Sequence, residues 1–227
     1  MGIKLNLGAG KGWSKDGWDV VDHKLKDKNG RRVQAWNLPY ENESVDVVFT
    51  SYMLEHISHF LIEKTICEVN RILIPGGALR IMIPDLRKAA IAYINNDKSV
   101  WGKLNKFSLG IGHAFVNTVV STGSDNILLD NEGELIGGYA HVYAYDFDMM
   151  EKLLSRYGFV NIREVKKFWL NPNYNQFRSK KINQLRTLTV ECKKKKHVPI
   201  DKNKMLMMVG GHDYEKNRRA VCPVLER

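Results

Sequence analysis

The chain has 227 residues, 44% of them hydrophobic and 10% aromatic, which is enough to bury one full core with an appendage. A net charge of +10 leaves anionic partners open, while three widely spaced cysteines, Cys67, Cys192 and Cys222, suggest neither a disulfide framework nor a thiolate zinc site and fit a reducing cytosol. No signal-peptide pattern precedes the first apolar stretch, Asn6 stands where a myristoylation signal needs a hydroxyl, and the uncharged run 107–124 is too polar to span a membrane; a cytoplasmic protein is expected.

Leu5 and Leu7 alternate with Lys4 and Asn6, as in a strand with unlike faces, and Gly8-Ala9-Gly10 then frees the backbone for a turn that a ligand can approach closely. The turn is not a dehydrogenase fingerprint, because Trp13 occupies the place of its last glycine. Nor is it a phosphate-cradling loop, since Gly12-Trp13-Ser14 lacks the Gly-Lys-Ser/Thr ending. Residues 18–22 read as a second strand that ends on Asp22. One carboxylate can accept hydrogen bonds from both hydroxyls of a ribose, so Asp22 is the first choice for a ribose ligand, the alternative being an ordinary turn residue. Residues 11–17 are too few for a full crossover helix.

A short third strand is expected at 32–36. The apolar run 45–51, bounded by turn residues, reads as a fully buried parallel strand leading to Tyr52, Glu55 and His56. Ile62, Ile66, Val69 and Leu73 recur at helical spacing until Pro75-Gly76-Gly77 stops them, and residues 78–83 form another buried strand before Pro84-Asp85-Leu86. Residues 86–95 look helical. The glycine-broken apolar run 107–116 suits either a lid or an ordinary packed connection, and 125–138 reads as a hairpin-like pair. Asp146 is a plausible N-cap for a helix that Gly158 closes with Phe159 packing back, and strands near 160–165 and 185–192 complete the sheet.

The succession LNLGAG, Asp22, NLPYENESVDVVFTSYMLEH, EVNRILIPGG and LRIMIPDL, resumed by HVYAYD, LLSRYGFVNIREV and LRTLTVEC, resembles class I S-adenosylmethionine-dependent methyltransferases, particularly the small type 11 group. The resemblance implies an α/β, Rossmann-like, doubly wound and mostly parallel seven-stranded sheet, with an antiparallel last strand and an insertion after the fifth. It implies S-adenosylmethionine as cofactor and S-adenosylhomocysteine as product. Gly8, Ala9 and Gly10 match the turn against the methionine part, and Asp22 the ribose ligand. Asn37 falls near the adenine amino group, Leu38 on the adenine ring, and Ser51 and Tyr52 at the strand end facing the sulfonium. Asn6 departs from a frequent aspartate, and no helix precedes the first strand.

Methyl transfer to oxygen or an ammonium nitrogen needs a base, and histidine suits that role near neutral pH. His141, after the insertion and near the strand tops, is the leading candidate; His113 and Asp85 follow, and Glu55 with His56 reads as fixing a helix start. The expected organisation is a methyltransferase domain over 1–192, with 88–140 as insertion and substrate lid, and a basic extension over 193–227. That extension holds ten basic against four acidic residues, a surplus of +6. The leading reading is a methyltransferase acting on a small molecule or sugar, with no metal and with a dimer compatible. A nucleic-acid methyltransferase would use the basic extension, although neither an Asn/Asp-Pro-Pro-Tyr block nor a Pro-Cys nucleophile is present. A binding scaffold that keeps the fold without turnover is the third reading.

Overall fold

The computed structural model describes residues 2–10, 16–23, 33–101, 109–120, 128–129, 135–137, 140–165 and 187–196. Strand β1 (Ile3–Leu7) buries Leu5 and Leu7 and lies between β2 (Asp19–Val21) and β3 (Val45–Ser51), parallel to both. β3 has no polar face to show solvent and is flanked in turn by the parallel β4 (Leu73–Pro84). Beyond it lie β7 (Phe159–Glu164) and, between β4 and β7, β8 (Thr187–Lys194), antiparallel to both neighbours. The sheet order is β2-β1-β3-β4-β8-β7. A separate antiparallel pair, β5 (Leu128–Leu129) and β6 (Leu135–Gly137), stands where the hairpin was expected.

The sheet among the described residues has six strands, not seven. The expected third strand is replaced over 33–37 by a tight turn, closed by an isolated bridge in which the Asn37 amide donates to the Gln34 carbonyl at 3.0 Å. Val33 is buried in the main core there, so apolarity alone did not make a strand. The antiparallel strand late in the chain agrees with expectation.

Helix α1 (His59–Ile72) buries Ile62, Ile66, Val69 and Ile72 against the sheet, the 3.6-residue spacing keeping them on one face. It needs no glycine to stop it. Leu73 is already extended and pairs with Val45, and the Pro75-Gly76-Gly77 segment forms an irregular stretch inside β4 before Ala78 pairs with Val47. A Cβ on Gly77 would lie 2.8 Å from the Ile74 carbonyl oxygen and 3.1 Å from that of Asp46, so the strands approach there only without a side chain. Helix α2 (Leu86–Ile94) starts on Asp85, whose carboxylate accepts the Lys88 amide.

The run expected as lid or connection contains helix α3 (Ile111–Val119), which packs on α2: Phe115 stacks on Tyr93 at 5.0 Å and meets Trp101 edge-on at 6.5 Å. Residues 107 and 108 lie outside the described residues. Helix α4 (Phe147–Arg156) is capped by Asp146, which accepts the Met149 amide at 2.9 Å, and Gly158 follows it at φ +80° with Phe159 buried. β8 takes in Lys193 and Lys194, the first two lysines of the expected extension; Lys194 is buried on Glu43 and the Leu73 carbonyl. The rest of 197–227 lies outside the described residues. Cys67 is disulfide-bonded, which corrects the expectation of three thiols, and Cys192 is a buried free thiol. No helix among the described residues is long and apolar enough to cross a membrane.

Candidate active site

From β1 the chain turns outward to β2, then returns past β1 to build β3 and β4 on the other side. The sheet therefore reverses direction at β1, and the crevice outside the carboxyl ends of its strands is where such a sheet receives a ligand. Gly8 and Gly10 lie at the end of β1, Asp22 at the end of β2, Ser51 and Tyr52 at the end of β3, and Asp85 at the end of β4.

Gly8 and Gly10 both have positive φ, at +76° and +71°. The Gly8 amide donates to the Val21 carbonyl at 2.7 Å, and a Cβ on Gly8 would lie 2.2 Å from Met53 Cγ. A Cβ on Gly10 would meet nothing within 4 Å, so the turn opens onto space. The Gly10 amide donates to Asp22 Oδ2 at 2.8 Å, which binds the ends of β1 and β2 together. Asp22 is buried, and its Oδ1 lies 3.5 Å from His23 Nδ1.

Leu38 is buried and Asn37 exposed on the segment that Arg71 anchors. The guanidinium donates to the Leu38 and Tyr40 carbonyls and to Asn42 Oδ1, while Glu68 accepts the Leu38 amide at 2.7 Å. Glu68 itself, hydrogen-bonded to Arg71, raises the Arg71 pKa against the effect of burial. Tyr52 holds a left-handed backbone at φ +52°, uncommon for a bulky residue and often a mark of a functional strand end. Its amide donates to the Met82 carbonyl at 2.8 Å, and its hydroxyl is hydrogen-bonded to that of Thr187.

Immediately beyond, a 3-10 turn (Leu54–His56) meets residues 140–143. The Val142 and Tyr143 amides donate to the Glu55 carbonyl at 2.9 and 3.3 Å, and His56 Nδ1 donates to the Ala140 carbonyl at 2.8 Å. His141 Nδ1 donates to the Thr118 carbonyl at 2.9 Å, near the end of α3. The rings of His56 and His141 meet edge-on at 5.1 Å, and Tyr143 lies between His59 and Tyr145, each 5.1 Å away. Glu55 is 1% exposed, and neither carboxylate oxygen has a hydrogen-bond partner. The buried Tyr145 hydroxyl also lacks one; burial raises its pKa first, then the charges of Tyr143 and Glu55.

His141, the leading expected base, thus joins Glu55 and His56. His113 stands exposed on α3. Asp85 is buried, with its carboxylate engaged by the Lys88 amide and by Lys88 Nζ at 2.7 Å. Glu55 and His56, read from the sequence as fixing a helix start, lie in the 3-10 turn beside His141; an acidic residue between Leu54 and His56 is what marks them in the sequence.

Burial pushes the Glu55 carboxyl up to about 8, against a smaller opposing effect of its own backbone amide. Between the ordinary 4.5 and about 8 the folded chain keeps a proton that the unfolded chain has released. This contribution to stability is complete below the lower value and lost as pH rises through the upper one. In metal-free buffer, urea unfolding should show stability falling across that interval, by at most on the order of 4–5 kcal/mol, and Glu55→Gln should flatten the fall. An equal slope in the variant would contradict this.

Residues 6–81 match the family model described as a methyltransferase domain. No curated protein matches the chain. Among solved structures, a SAM-dependent methyltransferase from Thermotoga maritima is 16% identical with a TM-score of 0.44, over 86% of this chain and 83% of that one. One from Mesorhizobium loti is 14% identical with a TM-score of 0.46, over 84% and 90%. One from Methanosarcina mazei is 14% identical with a TM-score of 0.49, over 86% and 93%. The six-stranded mixed sheet with its helices is an α/β, Rossmann-like arrangement. The match to a methyltransferase domain is carried by residues 6–81, about a third of the chain.

The residues present fit S-adenosylmethionine, the cofactor that the resemblance implies. Gly10 faces open space beside the buried Asp22, and a carboxylate is the group type that accepts from both hydroxyls of a ribose.

Proposed function

We propose that the protein methylates an oxygen or nitrogen of a small molecule or sugar. The observation that carries this reading is the pairing, at adjacent strand ends, of an open glycine turn backed by Asp22 with the Glu55, His56 and His141 cluster. When bound, S-adenosylmethionine supplies a methyl group whose carbon–sulfur bond breaks, the electron pair staying on sulfur, as an acceptor lone pair forms the new bond.

The chain's own residues position the two partners. Gly8, Ala9 and Gly10 would lie against the methionine part, Asp22 would accept from the ribose hydroxyls, and Asn37 and Leu38 would border the adenine. Ser51 and Tyr52 would set the sulfonium end, where the strained Tyr52 backbone fixes the direction in which the strand leaves the sheet. The acceptor would sit beside His141. A carbonyl only accepts, so His141 Nδ1 carries the proton it gives to Thr118 and the ring's lone pair is on Nε2, where a proton can be accepted. Asp85 is engaged in capping α2 and His113 lies on an exposed face, so the acceptor proton is assigned to the histidine cluster.

The test is a panel of amines, sugars, nucleotide sugars and RNA, each incubated with S-adenosylmethionine and followed by S-adenosylhomocysteine release and by a one-methyl mass gain. Turnover on a small amine or sugar, reduced about 100-fold or more in His141→Ala, is expected. Turnover on RNA alone would overturn the small-molecule reading, and undiminished turnover in the variant would remove His141.

A further inference from the structure

The Glu55 carboxylate is the anomaly of this site. It is 1% exposed, neither oxygen is hydrogen-bonded, and one ligand atom each from Glu55, His56 and His141 lie within 4.8 Å of one another. A buried carboxyl without a partner must keep its proton or be answered by a cation. Both histidines give their Nδ1 proton to a backbone carbonyl, Ala140 for His56 and Thr118 for His141, and the Nε2 lone pair is what each ring then offers to a metal. Anchoring the far nitrogen on a carbonyl is the arrangement that orients metal-bound histidines. We propose that Glu55, His56 and His141 bind a first-row divalent transition-metal ion.

Two imidazoles and one carboxylate favour zinc, cobalt, iron or manganese over magnesium or calcium, which prefer all-oxygen sites. Ligand atoms around one such tetrahedral ion stand about 3.3 Å apart, so modest side-chain rotation closes the set. Residues 140–143 are fastened to the 3-10 turn through backbone hydrogen bonds, so that two distant parts of the chain hold the three ligands in place. Three protein ligands leave at least one position for an exogenous oxygen or nitrogen. Resting on the methyltransferase reading, that position belongs to the methyl acceptor, whose hydroxyl bound to the Lewis acid releases its proton to solvent; with the ion bound, the His141 Nε2 lone pair is a ligand and no longer takes that proton.

The experiment uses the full chain, stripped with a chelator and dialysed, and titrated with Co²⁺ by calorimetry and visible absorption. S-adenosylhomocysteine affinity is measured separately. One equivalent of Co²⁺ with ligand-field absorption is expected. Glu55→Gln and His141→Ala should each weaken it by ~10-fold or more, with S-adenosylhomocysteine affinity retained. Glu55→Gln keeps the side chain's volume, and His141→Ala supplies an independent check should the first variant fold poorly. Absence of saturable Co²⁺ binding, or binding indifferent to both substitutions, would overturn the site. Co²⁺ binding without any S-adenosylhomocysteine binding would uphold the metal site and sink the methyltransferase reading instead.

Discussion

Asp22→Ala is expected to weaken S-adenosylhomocysteine binding about 100-fold, measured by calorimetric titration. Two hydrogen bonds from a diol to one ionised carboxylate contribute roughly 3 kcal/mol or more together, which converts to that factor. The substitution also leaves the Gly10 amide without its Asp22 acceptor, loosening the turn that should meet the methionine part. Asp22→Asn keeps one acceptor oxygen and should lose less, about 10-fold. Affinity unchanged in Asp22→Ala would mean that the carboxylate serves only to join β1 to β2.

The largest expected effect on stability lies elsewhere, in the sheet. Glu191 on β8 is fully buried opposite Arg80 of β4, and Arg163 of β7 faces it from the other side. Arg80 Nη1 donates to Glu191 Oε1, and Arg163 Nη2 lies 3.4 Å from Oε2. Burial lowers the Arg80 pKa and the Glu191 charge opposes that, so the carboxylate is what makes a buried guanidinium tolerable. Glu191→Ala leaves Arg80 in the core without it and should cost about 3–5 kcal/mol in urea unfolding. Adding Arg80→Leu should recover part of the loss, because it removes the uncompensated buried guanidinium while the Glu191→Ala cavity remains. A single-variant loss below about 1 kcal/mol would contradict a structural role for the pair.

The pattern of local residues accounts for much of this fold. Leu5 and Leu7 marked β1, the unbroken apolar run marked β3, and Asp146 and Gly158 marked both ends of α4, because burial alternation and capping act within a few residues. What depends on distant partners was not legible. Val33 joined the core from a turn, and β4 began before its Pro-Gly-Gly segment because Val45 was there to pair with Leu73. At the candidate site, the placing of the glycine turn and Asp22 at the ends of β1 and β2 was readable from spacing. The surroundings of Glu55, buried without a side-chain hydrogen bond beside the distant residues 140–143, were not.

The most direct test of the central claim is calorimetric titration of the wild-type chain with S-adenosylmethionine and S-adenosylhomocysteine, beside NAD and ATP. Saturable binding of the first two alone is the predicted result. Binding of NAD or ATP in their place, or of none of the four, would contradict the cofactor site built from Gly8, Gly10 and Asp22.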